Sequence, residues 1–277
     1  MMRFILTIVC VLLVSVTGWI GFPAAGWAQT EEAAQAAPTD LIQEVQSLFQ
    51  QAFIATNQGD FVTAEKIWTE LIERFPDNAA AWSNRGNAKV SQNQLEAAIA
   101  DYEKAMELFP DAPDPYLNRG AALEGLGRWD AAIADYNRVL ELAPDDAAAY
   151  NNRGNAEAGL GQWEQAITDY EKAMELAPSS VLAYTNYALA LYQVGKTKEA
   201  TRRLRNVVRK YPTFADARAA LTAALWMDGK RGEAESQWVS VVGLDTRYKK
   251  IDWVKEVRRW PPSVTSALEK FLTLQGA

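Results

Sequence analysis

Three stretches of the chain repeat one another at a spacing of 34 residues: Trp82 to Pro110, Tyr116 to Pro144 and Tyr150 to Pro178. Each opens on an aromatic residue, continues through Asn-Arg-Gly and Ala-Ile-x-Asp-Tyr, and closes on proline. A fixed period of this length with two helical halves marks a solenoid rather than a single globular core. Taking register from the prolines, full units run over 79–112, 113–146, 147–180 and 181–214, the last ending on Pro212 in phase. A degenerate unit at 45–78 keeps Ala64, Trp68 and Pro76, and another at 215–248 keeps Gly229, Ala234 and Trp238. Six units is the expected count. Their outer members diverge because a terminal repeat meets solvent or a cap on one side.

The residue types follow from packing. Gly86, Gly120, Gly154 and Ala188 sit where a first helix must approach a neighbour closely. Ala98, Ala132, Ala166, Ala200 and Ala234 play that part in the second helices, and the aromatics one turn later fill the wider gaps. Gly59, Gly127, Gly161, Gly195 and Gly229 end the first helices, and the prolines separate one hairpin from the next. Two further rows stand out. Arg85, Arg119 and Arg153 occupy the seventh position of their units, and Asp101, Asp135 and Asp169 the twenty-third. Both types vanish together in the fifth unit (Tyr187, Arg203) and the sixth (Leu221, Gln237), which predicts a semi-buried Arg/Asp ladder across each hairpin; duplication of one unpaired template is the alternative. Asn84, Asn118, Asn152 and Asn186 form a row at position six, read as bonding to the preceding repeat, with a partner's backbone as the alternative.

This pattern resembles the tetratricopeptide repeat family. Its aromatic-x-x-x-Gly start appears as Trp82/Gly86, Tyr116/Gly120 and Tyr150/Gly154, and its later Ala and aromatic as Ala98/Tyr102, Ala132/Tyr136 and Ala166/Tyr170. The fifth unit departs, with Ala188 for glycine and Leu204 for tyrosine. The resemblance implies an all-α, right-handed superhelical solenoid of tetratricopeptide-type hairpins over 41–248, with capping helices over 249–277. It also implies a concave surface lined by positions 2, 5, 9 and 12 of the first helices. Asn87, Leu117, Asn151 and Asn155 stand on the roomy, weakly acidic part of that surface, and Leu189, Tyr192 and Trp226 on an apolar part fit to anchor a peptide or helix. Burial of that apolar part by the chain's own C-terminal helix is the competing reading. Some members clamp a partner's C-terminal carboxylate with Lys at position 5 and Asn at position 9. Here Ser83 and Asn151 replace the lysine and Asp114 has the wrong sign, which argues against a clamp.

Beyond the repeats, Tyr248 to Trp260 reads as a basic amphipathic helix with Ile251, Val254 and Val257 on one side. Pro261-Pro262 stops it, and Ser263 caps a last helix whose apolar side is Val264, Leu268, Phe271 and Leu272, with Leu274 as a further candidate. This tail is either a solenoid cap or a recognition element. The run Asp252-Trp253…Arg258-Arg259-Trp260-Pro261-Pro262 resembles the tails of repeat proteins of cyanobacteria and the chloroplast thylakoid lumen, which implies an accessory role at photosynthetic membranes.

The remaining features bear on location and chemistry. Met1-Met2-Arg3 followed by a charge-free run to Gln29 reads as a signal peptide, residues 1–28, cleaved after Ala28. A membrane anchor through residues 4–20 is the alternative, and residues 29–40 read as a flexible linker. The chain's single cysteine, Cys10, lies in this leader, so the cleaved protein has no disulfide. There is no histidine, which removes the commonest general base and the usual His/Cys zinc sites. No cofactor, metal site or catalytic residue is expected. Residues 1–195 hold 11 Lys/Arg against 26 Asp/Glu, and residues 196–277 hold 17 against 9. The acidic part disfavours nucleic acid, while the basic C-terminal third suits peripheral contact with an anionic membrane. The resulting expectation is a non-enzymatic scaffold for a protein or peptide partner, exported to the periplasm or thylakoid lumen as an assembly or accessory factor. A membrane-anchored adaptor is the runner-up.

Overall fold

The computed structural model describes residues 39–275. The leader and most of the linker lie outside them. The chain divides into two units, residues 1–128 and 129–277. The first holds α1 (Thr39–Asn57), α2 (Phe61–Arg74), α3 (Ala79–Ser91), α4 (Leu95–Leu108) and α5 (Pro113–Gly125). The second holds α6 (Trp129–Leu142), α7 (Ala147–Gly159), α8 (Trp163–Leu176), α9 (Val181–Gln193), α10 (Thr197–Lys210), α11 (Ala215–Met227) and α12 (Arg231–Leu244). A 3-10 turn (Thr246–Lys249), the short α13 (Ile251–Trp253), a π turn (Val254–Arg258) and α14 (Pro262–Gln275) follow. Within each unit every one of α1–α12 packs on the next in chain order. The described residues contain no strand, and the fold is all-α.

Local chemistry sets the helix ends. The side chains of Asn78, Asp146 and Ser180 accept from the backbone N–H of Ala81, Ala149 and Ala183 at the starts of α3, α7 and α9. Each such cap is worth about 1 kcal/mol. α5 starts instead on Pro113, whose missing N–H costs nothing there. Between the helices of a hairpin the backbone turns through the left-handed region at Gly59, Gly127, Gly161, Gly195 and Gly229, with φ between 72° and 82°. In the unit that lacks the glycine, Asn93 takes this conformation at φ 60°, as asparagine tolerates. The repeat-closing prolines also leave a carbonyl that the next repeat uses. Trp82 Nε1 donates to the carbonyl of Pro76, Tyr116 Oη to that of Pro110, and Arg218 Nε to that of Pro212.

The first-helix glycines are set by the aromatic they face. A Cβ on Gly86 would lie 2.6 Å from the Tyr102 ring, and one on Gly154 2.8 Å from the Tyr170 ring. Those rings are buried, so neither can swing away. The fifth unit replaces both members together, with Ala188 opposite the slimmer Leu204, and both are fully buried.

The tail departs from the expected single amphipathic helix. Val254 is buried, but Val257 is 61% exposed, and Arg259 turns the chain at φ 51°. Ser263 is not a cap either. It lies within the first turn of α14, and both its N–H and its hydroxyl donate to Gln193 Oε1 at the end of α9, at 2.9 and 2.6 Å. α14 packs on α11 and α9, burying Val264, Leu268 and Phe271. Phe271 sits edge-on to both Trp226 and Trp238. This helix thus covers the sides of α9 and α11 that it packs against.

Gly154→Ala should cost about 1–3 kcal/mol through overpacking, despite alanine's better helix propensity. Adding Tyr170→Leu should recover part of that loss, reproducing the Ala188/Leu204 pair. Urea unfolding of the two single variants and the double variant measures this; purely additive losses would contradict it.

Candidate functional site

The seventh-position side chain joins three helices. Arg85 Nε and Nη2 donate to the two carboxylate oxygens of Asp101 at 2.9 and 2.7 Å. Its third nitrogen reaches Thr69 Oγ1 in the preceding repeat, and its guanidinium lies 4.7 Å from the Trp82 ring centre. Arg153 repeats this with Asp169 (2.6 and 2.7 Å), Asn137 and Tyr150. Both aspartates are buried, and the bidentate geometry fixes the angle between the helices. Arg119 reaches Glu103, which holds the same place as Thr69 and Asn137, at 3.4 Å, and Asp135 is buried. The fifth unit keeps this link by other means. Tyr187 Oη donates to Glu171 at 2.8 Å, and Arg203, standing where the aspartate should be, stacks on the Tyr187 ring. These residues form a frame that links successive helices.

One position of that frame changes sign between repeats. Lys89 adds a second cation to Asp101 at 2.7 Å. Its counterpart two repeats on is Glu157, facing Asp169, and its buried Oε2 has no hydrogen-bond partner among the described residues. Burial first, then the Asp169 charge, pushes its carboxyl up to about 7, against a smaller opposing pull from Arg153.

Asn84 and Asn186 of the sixth-position row are used internally. Asn84 Nδ2 donates to the carbonyl of Ala80, and Asn186 Nδ2 bonds back to Asn151 Oδ1 and Asn155 Oδ1 in the preceding repeat at 3.1 and 3.0 Å. Asn87 Oδ1 and Asn155 Oδ1 also accept from the hydroxyls of Tyr102 and Tyr170. On the inner helix face of the first unit, Asn87, Val90, Asp114 and Ala121 remain exposed and Leu117 is half-buried. In the second unit Asn151 and Asn155 are half-buried.

The apolar anchors are not open. Leu189 is buried, Tyr192 is only 9% exposed, and the half-buried Trp226 stacks on Phe271. The reason is the fold-back of α14, whose apolar side covers the place assigned to a partner's helix. Sequence reasoning also missed Asp216. It is buried, and it receives hydrogen bonds from Tyr248 Oη, from Arg258 Nε and Nη2 (3.0 and 2.5 Å) and from Trp260 Nε1 (3.0 Å). Burial and the Asp216 charge hold the Tyr248 hydroxyl far above the usual phenol range, so it stays a donor. One carboxylate thus gathers the whole tail. The spacing of Asp216 to Arg258 and Trp260 carried no local signal.

Tetratricopeptide repeat models match residues 46–78, 86–127, 127–185 and 158–225. Together with the hairpin geometry they show that the chain belongs to the tetratricopeptide repeat family. Tetratricopeptide repeat protein 36 of Bos taurus is 32% identical over 69 residues. That match covers 25% of this chain and only 37% of the relative's length. A tetratricopeptide repeat protein from Parabacteroides merdae shares the fold with a TM-score of 0.64 at 21% identity, over 85% of this chain and 94% of its own. YrrB, described as a TPR protein with an unusual peptide-binding site, gives a TM-score of 0.50 at 23% identity, over 65% and 92%.

Two outcomes follow. Glu157 holds its proton to about pH 7 when folded but only to about 4.5 when unfolded. Its favourable contribution is therefore complete below pH 4.5 and lost as pH rises through 7. Glu157→Gln should remove that loss, so the variant should gain on the parent between pH 5 and 8 in denaturant melts; parallel pH profiles would refute the assignment. Asp216→Ala should strand Arg258 and cost about 3–5 kcal/mol. Trypsin should then cut the 247–259 segment faster than in the parent, and unchanged cleavage would show that Asp216 does not hold the tail.

Proposed function

We propose that this protein is a non-enzymatic scaffold that binds a protein or peptide partner through the inner faces of its first helices. One observation carries the reading: the chain itself already uses such a face as a helix receptor. α14 lies on α9 and α11 through Phe271, Leu268 and Val264, which is helix-in-groove recognition in cis. The corresponding faces of α3 and α5 bear no such helix among the described residues, and there Asn87, Val90 and Leu117 are available to a partner. In the second unit Asn151 and Asn155 hold the equivalent repeat positions on α7. The peptide-binding site for which YrrB is described supports the reading by analogy of fold.

The leader and the tail motif support a finer version, an exported assembly or accessory factor of the periplasm or thylakoid lumen. No helix of the described residues is long and apolar enough to cross a membrane; the anchor alternative falls on residues 4–20, outside that range.

The test is crosslinking from benzoylphenylalanine placed at position 87 or 117, in the native compartment, followed by mass spectrometry. A discrete partner captured from both positions, and lost when Leu117→Asp is combined with position 87, is the expected result. Capture only from positions on α2 or α4 would reject the inner faces. The N-terminal residue of the recovered protein decides the leader: Gln29 for cleavage, Met1 or Met2 for anchorage.

A further inference from the structure

Exposed apolar side chains scattered singly need no explanation, but several converging on one place do. In the second unit Leu182, Leu244 and Val257 are 47%, 42% and 61% exposed, and all three line one open cavity of about 440 Å³. Behind them lie Phe214, Tyr248 and Trp253. The cavity sits in the elbow that the tail makes after α12. The π turn there directs Arg258 inward to Asp216 while leaving the adjacent Val257 in solvent. Such turns are rare and concentrate at functional sites.

Charge narrows the occupant. Residues 246–259 hold six basic side chains and two acidic ones. Arg247 is paired with Asp245, Arg258 with Asp216 and Lys255 with Glu269. Lys249 and Lys250 are exposed and make no ion pair among the described residues. Tyr248 lines the cavity and Lys249 and Lys250 follow it in the chain, and residues 246–259 keep a positive balance with the exposed Asp252 and Glu256 counted. A concave wall backed by aromatic rings admits a side chain and does not conform to a flat bilayer. We propose that this elbow docks an acidic segment of a partner protein, one apolar side chain entering the cavity and the flanking carboxylates facing Lys249 and Lys250. This contact is separate from the inner faces of α3 and α5 and stands or falls without them.

The probe is an end-blocked peptide, Asp-Glu-Leu-Glu-Asp, titrated into the full chain by calorimetry. One-to-one saturable binding is expected. It should weaken at least about tenfold with Leu244→Asp/Val257→Asp, with Lys249→Glu/Lys250→Glu, or when the probe's acids are replaced by amides. Leu117→Asp should leave it unchanged. The four elbow residues are exposed, so both variants should keep the parent's melting curve, and either pair alone suffices. No saturation up to about 1 mM probe, or parent affinity in both variants, overturns the proposal. So does a failure of the probe to bind while phosphatidylglycerol vesicles bind the parent and not the variants, which would assign the elbow to a membrane surface.

Discussion

A hairpin of 34 residues cannot bury its apolar side alone, and the rest of this structure answers that constraint. Each hairpin needs the next, so close approach between successive helices is obligatory and residue size at the contact decides everything downstream. That is why glycine faces tyrosine at Gly86/Tyr102 and Gly154/Tyr170, where an added Cβ would overlap the ring. It is also why both members change together at Ala188/Leu204. The arginine frame comes second: it does not create the contact but sets its angle, since one guanidinium is fixed at once by a ring, a carboxylate and the preceding repeat. The same constraint makes the end of the stack expensive. No further hairpin follows α12 among the described residues, and α14 lays its apolar side on α9 and α11.

Seen this way, the tail is part of the fold and not an appendage. Four buried or half-buried groups, Tyr248, Arg258, Trp260 and Asp216, satisfy one another, and a half-satisfied version would be worse than an apolar one. Meeting one carboxylate from three places within thirteen residues is incompatible with a straight helix. Hence the 3-10 turn, the π turn and the left-handed Arg259.

These two levels explain what could be read from the sequence. Contacts inside a hairpin recur in phase, so the Arg85/Asp101 and Arg153/Asp169 pairs were visible as a row that appears and disappears jointly, sixteen residues apart. The turn glycines were visible for the same reason, and even Asn93 stands in register with them. Contacts made once leave no such trace. Gln193 meets Ser263 across seventy residues and Asp216 meets Trp260 across forty-four, and neither has a periodic copy. The three-residue spacing of Ile251, Val254 and Val257 therefore suggested a helix that tertiary bonding overrides. Tyr192 and Trp226 looked like open anchors because position alone says which way a side chain points, not what already lies there.

The repeats also differ in ways the frame tolerates, and those differences locate specificity. Lys89 and Glu157 occupy one place in the repeat, yet the first neutralises its aspartate and the second opposes it. Packing demands neither, since the ring and the bidentate pair already hold the hairpin. What the frame leaves free, it leaves to charge. The first unit sets Val90 and Leu117 among small, polar and acidic side chains on its inner face, whereas the end of the second unit has covered its inner face with its own helix and left its basic, apolar elbow exposed. The two surfaces are thus chemically unlike, although both are built on the same repeat.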